Sequence, residues 1–324
     1  MLAKIIDWDN LTVKLDKLTE KQKRYTHLID GRFFPNGDNP YQKDNQDWTY
    51  ETPIDLDEEL FYLHPLFDPR VLEVGAVRRF PQSVNRDYIA EKYFEDKWVS
   101  EGNNELALGL EKYVADNLKQ LQSQEKIKLL DIGPCGGAIT TLFALRALNR
   151  YNLLDKVEIY LLDIVPEVLE VTKRGDFKIP QEMIDEYRLT FAGKNGKEFK
   201  ELMMSDRVHA IVGDGEKLPE EVKGVDIAVA AYVHHHMNLH ARKKLAQQTE
   251  EAVRDNGFIG VTDFYVKNFE QYISWYKPHF EKCGTPPPVE CPVIDGKRLA
   301  SWYKNTTLNE VKDIENSFMF WGIR

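Results

Sequence analysis

The chain has 324 residues, 42% of them hydrophobic and 30% charged. That balance provides for a sizeable core and excludes wholesale disorder. Its 43 lysines and arginines against 53 aspartates and glutamates leave a formal charge of −10, which argues against broad nucleic-acid binding. The three cysteines, Cys135, Cys283 and Cys291, lack CxxC spacing, which excludes a disulfide framework and a zinc ribbon. No apolar run approaches the ~18 residues of a membrane helix. The opening MLAKIIDWDN is too polar for a signal peptide. A cytoplasmic protein with no membrane partner is expected.

Residues 1–100 are rich in aromatics and turn formers, as in FFPNGDNPYQKDNQDW, with Asn-Gly and Asn-Pro signals. They predict a mainly helical and loop cap, with one helix over 85–98 and no parallel strand. Residues 101–324 form the second region. An amphipathic helix is predicted over 103–121, with Leu106, Leu110, Tyr113, Val114, Leu118 and Leu121 on one face. Strand-length apolar runs follow at 127–132, 157–163, 208–214, 225–233 and 258–264. Helical stretches separate them at 138–151, from 166 to 173 and beyond, 195–204 and 239–255. Such alternation predicts a doubly wound, mostly parallel α/β sheet covered on both faces. The closing FMFWGIR reads as an antiparallel edge strand. Its partner is ambiguous, because 299–315 fits helix or strand.

The sharpest motif is LLDIGPCGGAIT, residues 129–140. A strand runs into Gly133, Pro134, Gly136 and Gly137, and a helix follows. Glycines there let backbone N–H groups approach a ligand, at a helix N-terminus that carries partial positive charge. The spacing is D-x-G-x-x-G-G and not the G-x-G-x-x-G of dinucleotide enzymes. It resembles the first motif of the class I, Rossmann-like methyltransferases that use S-adenosylmethionine. Asp163, followed by Ile164, ends the second strand, where an acid can accept both ribose hydroxyls. It stands thirty positions past Gly133, more than the roughly 20 of short units, and an extended first helix absorbs the excess. The plain alternative is an aspartate that caps the next helix. The third strand ends in VGDGEKLP, which is similar to the GDAExLP segment of that family. The resemblance covers 103–324. It implies a seven-stranded sheet, S-adenosylmethionine as cofactor and S-adenosylhomocysteine as product. It also implies that Asp131 supports the amino end, that Gly133, Gly136 and Gly137 form the turn, and that Gly213, Asp214 and Gly215 meet the adenine. LEVGAV at 72–77 copies the motif's opening, but Arg78 and Arg79 stand where further glycines are needed.

After the fourth strand comes AAYVHHHMN, residues 230–238. Adjacent histidines point apart on a strand or a helix, so at most two of His234, His235 and His236 converge on one ion, with His240 a helical turn on; carboxylate or cysteine companions are absent locally, and no metal is expected. The family carries a similar segment there, which makes His235 or His236 a candidate general base; packing at a helix start is the plain alternative. Tyr232 and Asp263 are further candidates near strand ends, as is Tyr265. Cys283 and Cys291 bracket a proline-rich connection. The expected function is methyl transfer to a small molecule, on oxygen or nitrogen before carbon, in specialised metabolism. A protein or carrier-bound substrate, a catalytically silent cofactor-binding subunit and a nicotinamide oxidoreductase are the alternatives. A homo-oligomer is compatible with the sequence.

Overall fold

The computed structural model describes Phe94 and residues 97–134, 136–234, 239–264, 296–314 and 317–324, together with the backbone of four short strands before residue 36. Those strands form two antiparallel pairs, Ile6–Asp7 with Thr12–Val13 and Thr26–Ile29 with Arg32–Pro35. The second pair adds a short hairpin to a region read as mainly helix and loop. Asp30-Gly31 lies between its strands in sequence, a two-residue hairpin signal. Most of the helix expected over 85–98 lies outside the described residues, as does the LEVGAV segment. The chain divides into two compact units. One comprises Met1–Ser83, His234–Arg242 and Val266–Ile294; the other comprises Val84–Val233, Lys243–Tyr265 and Asp295–Arg324.

The second unit holds a seven-stranded sheet: β1 (Ile127–Ile132), β2 (Val157–Asp163), β3 (Val208–Val212), β4 (Val225–Ala231), β5 (Val253–Phe264), β6 (Thr307–Ile314) and β7 (Ser317–Ile323). Their order is β6-β7-β5-β4-β1-β2-β3. The strands from β3 across to β5 run parallel. β7 pairs antiparallel with both β5 and β6. Residues 299–315 therefore resolve into the end of a short helix, Gly296–Ser301, and the edge strand β6. Leu129 and Leu130 of β1 point to opposite faces, and both are fully buried. Both sheet faces are thus covered, which the continuous apolar runs require.

The helices are α1 (Lys97–Asp116), α2 (Leu118–Ser123), α3 (Ile139–Asn149), α4 (Pro166–Arg174), α5 (Gln181–Glu186), α6 (Lys197–Met204), α7 (Leu239–Ala252) and α8 (Gly296–Ser301). α1 starts six residues earlier than its periodicity suggests and stops at Asp116. The strand after α7 begins at Val253, where pairing with Val225 takes over. α1 lies along α3 and crosses β5 and β7. The approach is close because small residues sit at the contacts. A Cβ on Gly102 would lie 2.1 Å from the Tyr232 hydroxyl, one on Gly109 would lie 2.6 Å from the Trp321 ring, and one on Gly260 would lie 2.4 Å from Leu106. In an open helix, glycine to alanine gains about 1 kcal/mol. Here the sign reverses: Gly102→Ala is expected to destabilise the chain by about 1–3 kcal/mol through overpacking, read as a lower urea midpoint.

Three buried acids are consumed by the scaffold. Asp226, at the amino end of β4, accepts from Lys128 N (2.7 Å) and Gln124 Nε2 (2.9 Å) and pairs with Arg254. Glu250 accepts from Asn305 N (2.7 Å), Asn305 Nδ2 (3.2 Å) and Thr306 Oγ1 (2.8 Å), which fixes the turn before β6. Glu111 pairs with Arg146 and Arg150.

Candidate functional site

The carboxyl tips of β1, β2 and β3 are tied side by side by backbone hydrogen bonds. Gly133 N donates to Leu162 O at 2.8 Å, and Gly213 N donates to Asp163 O at 2.9 Å. The first glycine turn, the acid of the second strand and the glycine of the third are therefore direct neighbours. Ligands of open α/β sheets bind at this edge.

The turn after β1 is built from left-handed backbone. Gly133 has φ 65°, Gly137 has φ 89° and Ala138, which caps α3, has φ 53°. Pro134 and Gly136 are buried. Gly137 N donates to Thr172 Oγ1 at 3.0 Å, which links the turn to α4. A Cβ on Gly133 would lie 2.4 Å from Val233 Cγ2. Gly133→Ala therefore meets both a left-handed penalty of about 1–2 kcal/mol and a collision. The expected result is a loss of about 2–4 kcal/mol in urea unfolding.

Asp131 is fully buried. Its Oδ2 accepts from Thr141 N (3.0 Å) and Thr141 Oγ1 (2.6 Å), in the first turn of α3. Its Oδ1 is buried with no hydrogen-bond partner, as is Thr140 Oγ1. Desolvation pushes its carboxyl up to about 7 against the pull of the Thr141 bonds, and the charge of Asp163 adds to the rise. Asp163 is half-buried by surface, yet enough protein surrounds its carboxyl that desolvation raises it to about 7 as well. Its Oδ1 accepts from Val165 N at 2.8 Å. Val165 is the N-cap of α4 and makes no side-chain cap, so Asp163 shapes the entry to the helix without capping it.

Beside Asp163 the surface is unusually apolar for strand ends. Ile164 is 43% exposed and Val212 is 60% exposed. An exposed isoleucine and valine flanking a carboxylate suit a flat ring with a hydroxylated sugar. Val212 was not among the residues singled out from sequence, nor were Thr140 and Thr141. Asp214 is exposed; its Oδ1 accepts from Glu216 N at 2.9 Å, and its carbonyl accepts from Lys217 N at 3.0 Å. Gly215 is buried in that turn. β3 ends at Val212, two residues before its apolar run, because this turn begins.

The acceptor-side candidates divide differently. β4 stops at Ala231, and Tyr232 follows at φ 57°. Its hydroxyl bonds the side chains of Thr262 and Ser317, inside the core. Burial raises its pKa far above the ordinary phenol value, so it stays protonated. Asp263 is fully buried, with Oδ1 accepting from Phe264 N at 2.7 Å. His234 is buried, and its carbonyl accepts from Arg242 Nε at 2.6 Å. His235, His236, Tyr265 and all three cysteines lie outside the described residues. Among the described residues no helix is long and apolar enough to cross a membrane.

Five strands in the order β5-β4-β1-β2-β3, an antiparallel hairpin on the far edge and a glycine turn after β1 define the architecture. This is a Rossmann-like, doubly wound α/β fold with an antiparallel edge. No family model matches the sequence, and comparison with curated proteins gives no match. Solved structures do match in shape. The S-adenosylmethionine-dependent methyltransferase SibL has 17% identity and a TM-score of 0.39, over 63% of this chain and 52% of that one. A SAM-dependent methyltransferase from Aquifex aeolicus has 17% identity and a TM-score of 0.40, over 74% and 99%. The N-methyltransferase NodS from Bradyrhizobium japonicum WM9, in complex with S-adenosyl-L-homocysteine, has 11% identity and a TM-score of 0.37, over 65% and 87%. The match thus spans about half the length of SibL. The strand order carries the fold; likenesses of this strength say nothing about chemistry.

Proposed function

We propose that the chain binds S-adenosylmethionine at the tips of β1, β2 and β3 and transfers its methyl group to a small-molecule acceptor, oxygen or nitrogen before carbon. The observation that carries this reading is the run of hydrogen bonds joining Gly133, the Leu162–Asp163 tip and Gly213, with Ile164 and Val212 exposed alongside. The residues present fit the group. The buried Oδ1 of Asp131 is an acceptor lacking a donor, which suits the ammonium end or a water on it. Bound there, S-adenosylmethionine supplies an electrophilic methyl on a sulfonium, already a good leaving group.

The chain's task is then mostly to position. Asp163 accepts the ribose hydroxyls, Ile164 and Val212 cover the faces of the ring, and the Gly133–Gly137 turn lets the backbone come close. Gly213, Asp214 and Gly215 bound the adenine end. Holding acceptor, methyl carbon and sulfur in line is worth on the order of 7–11 kcal/mol. A hydroxyl acceptor also loses a proton, for which His235, His236 or Asp263 is the candidate base, worth roughly 10²–10⁴ in rate. A role in specialised metabolism belongs to this reading, as does action in the cytoplasm.

Thermal unfolding with S-adenosylmethionine, S-adenosylhomocysteine and NAD tests it. A ligand at 100 times its Kd stabilises by about 2.7 kcal/mol. The first two should raise the midpoint and NAD should not. A shift with NAD alone would favour an oxidoreductase. Homocysteine release against a panel of metabolites then separates an active enzyme from a silent subunit.

A further inference from the structure

Tyr232 is the one aromatic residue at positive φ among the described residues. Bulky side chains rarely adopt that backbone, and it persists only where the surroundings hold it. Here they do. Tyr232 N donates to Thr262 O at 2.8 Å, so the ladder to β5 survives the inversion. The ring packs edge-on against Phe264, centroids 5.2 Å apart. The hydroxyl bonds the side chains of Thr262 and Ser317 and lies against the bare Cα of Gly102. Thr262 Oγ1 spends its proton on Phe318 O at 2.8 Å. Toward Tyr232 it can only accept, so Tyr232 donates to it and Ser317 donates to Tyr232. Every hydroxyl proton in this knot is spoken for, and it joins the end of β4 to α1, β5 and β7. A phenylalanine would fill the same space without fixing the direction.

The direction matters because of what comes next. The reversal at Tyr232 lays Val233 on the glycine turn, with Cγ2 2.4 Å from where a Cβ of Gly133 would be. Gly133 in turn bonds the tip of β2 beside Asp163. We propose that Tyr232 is a positioning residue for the cofactor turn: its buried hydroxyl locks the left-handed end of β4, which presses Val233 onto Gly133 and sets that turn's shape. This inference rests on the reading of the strand tips as an S-adenosylmethionine site, and it replaces the catalytic role expected of Tyr232.

The test is calorimetric titration of the full chain with S-adenosylhomocysteine, with urea unfolding of the same proteins alongside. Tyr232→Phe and Val233→Ala should each weaken binding five- to tenfold. Their double variant should bind no more weakly than the worse single one, because both act through one contact. Tyr303→Phe is the control, since it also deletes a buried phenol oxygen, one bonded to Thr249. It should lose stability comparably while keeping its affinity within twofold. Affinity within twofold of wild type in Tyr232→Phe, equal losses in Tyr303→Phe, or additive losses in the double variant would each overturn the proposal. If the unmutated chain takes up no S-adenosylhomocysteine, the cofactor reading itself falls, an outcome distinct from those three.

Discussion

Asp163→Ala is expected to weaken S-adenosylmethionine binding about 100-fold. Hydrogen bonds to a charged acceptor contribute roughly 1.5–3 kcal/mol each, and a ribose offers two hydroxyls to one carboxylate. A loss of about 3 kcal/mol in all is therefore modest, and each 1.4 kcal/mol is tenfold. Asp163→Asn keeps one acceptor and should fall between. The pH dependence is specific. The carboxyl stands at about 7 in the free protein, and the ionised form accepts both hydroxyls whereas the protonated form does not. Binding therefore favours ionisation, and a cationic ligand favours it further. Affinity should be flat above about pH 8 and should fall with acid below 7, approaching tenfold per unit. Asp163→Asn should lose most of that slope. Titrations at pH 6, 7 and 8 measure both effects; an unchanged affinity in Asp163→Ala would remove the ribose assignment.

Asp131→Asn is expected to stabilise the chain at pH 8 by about 2 kcal/mol and to change little at pH 5. The sign follows from the raised carboxyl. The unfolded group has its ordinary value near 3.8, and the folded one stands at about 7. Between these the native state holds a proton that the unfolded chain has released. Stability contributed by this group is therefore fully present below about pH 4, falls as pH rises, and is lost above about 7. One pKa unit is 1.36 kcal/mol; the unpartnered amide that asparagine buries offsets part of the gain. An oxygen facing Thr141 keeps the α3 contacts. Asp131→Ala instead strands Thr141 N, at about 1–3 kcal/mol. The difference in urea unfolding between Asp131→Asn and wild type, at pH 5 and pH 8, cancels the other titrations. A difference that stays constant with pH would show Asp131 to be ionised in a better-solvated setting.

Much of the sheet was legible because parallel strands buried on both faces read as unbroken apolar runs. β1 and β2 fall where IKLLDI and VEIYLLD predict. What escaped were features decided by partners far along the chain. Whether 299–315 is helix or strand depends on β7 arriving to pair with it. The end of β4 depends on Thr262, Ser317 and Gly102, none of them near Tyr232 in sequence. The pairing of Thr26–Ile29 with Arg32–Pro35 is signalled in sequence only by the Asp30-Gly31 dipeptide between them, amid aromatics. At the site, the acids and glycines at the strand ends announced themselves by type and spacing. Val212 looked like any strand valine, because its exposure follows only from the turn at Gly213. Thr141 likewise shows its use only once α3 folds back over β1.

The claim on which the rest stands is that three adjacent strand tips hold one adenosyl sulfonium compound. A crystal structure of the chain grown with S-adenosylhomocysteine tests it most directly. The ribose should lie within hydrogen-bond distance of Asp163, with the adenine between Ile164 and Val212 and the amino end toward Asp131. Density for the ligand anywhere else, such as the open cavity lined by Lys178, Gln181, Asn195 and Lys200, with the three tips bare, would contradict it.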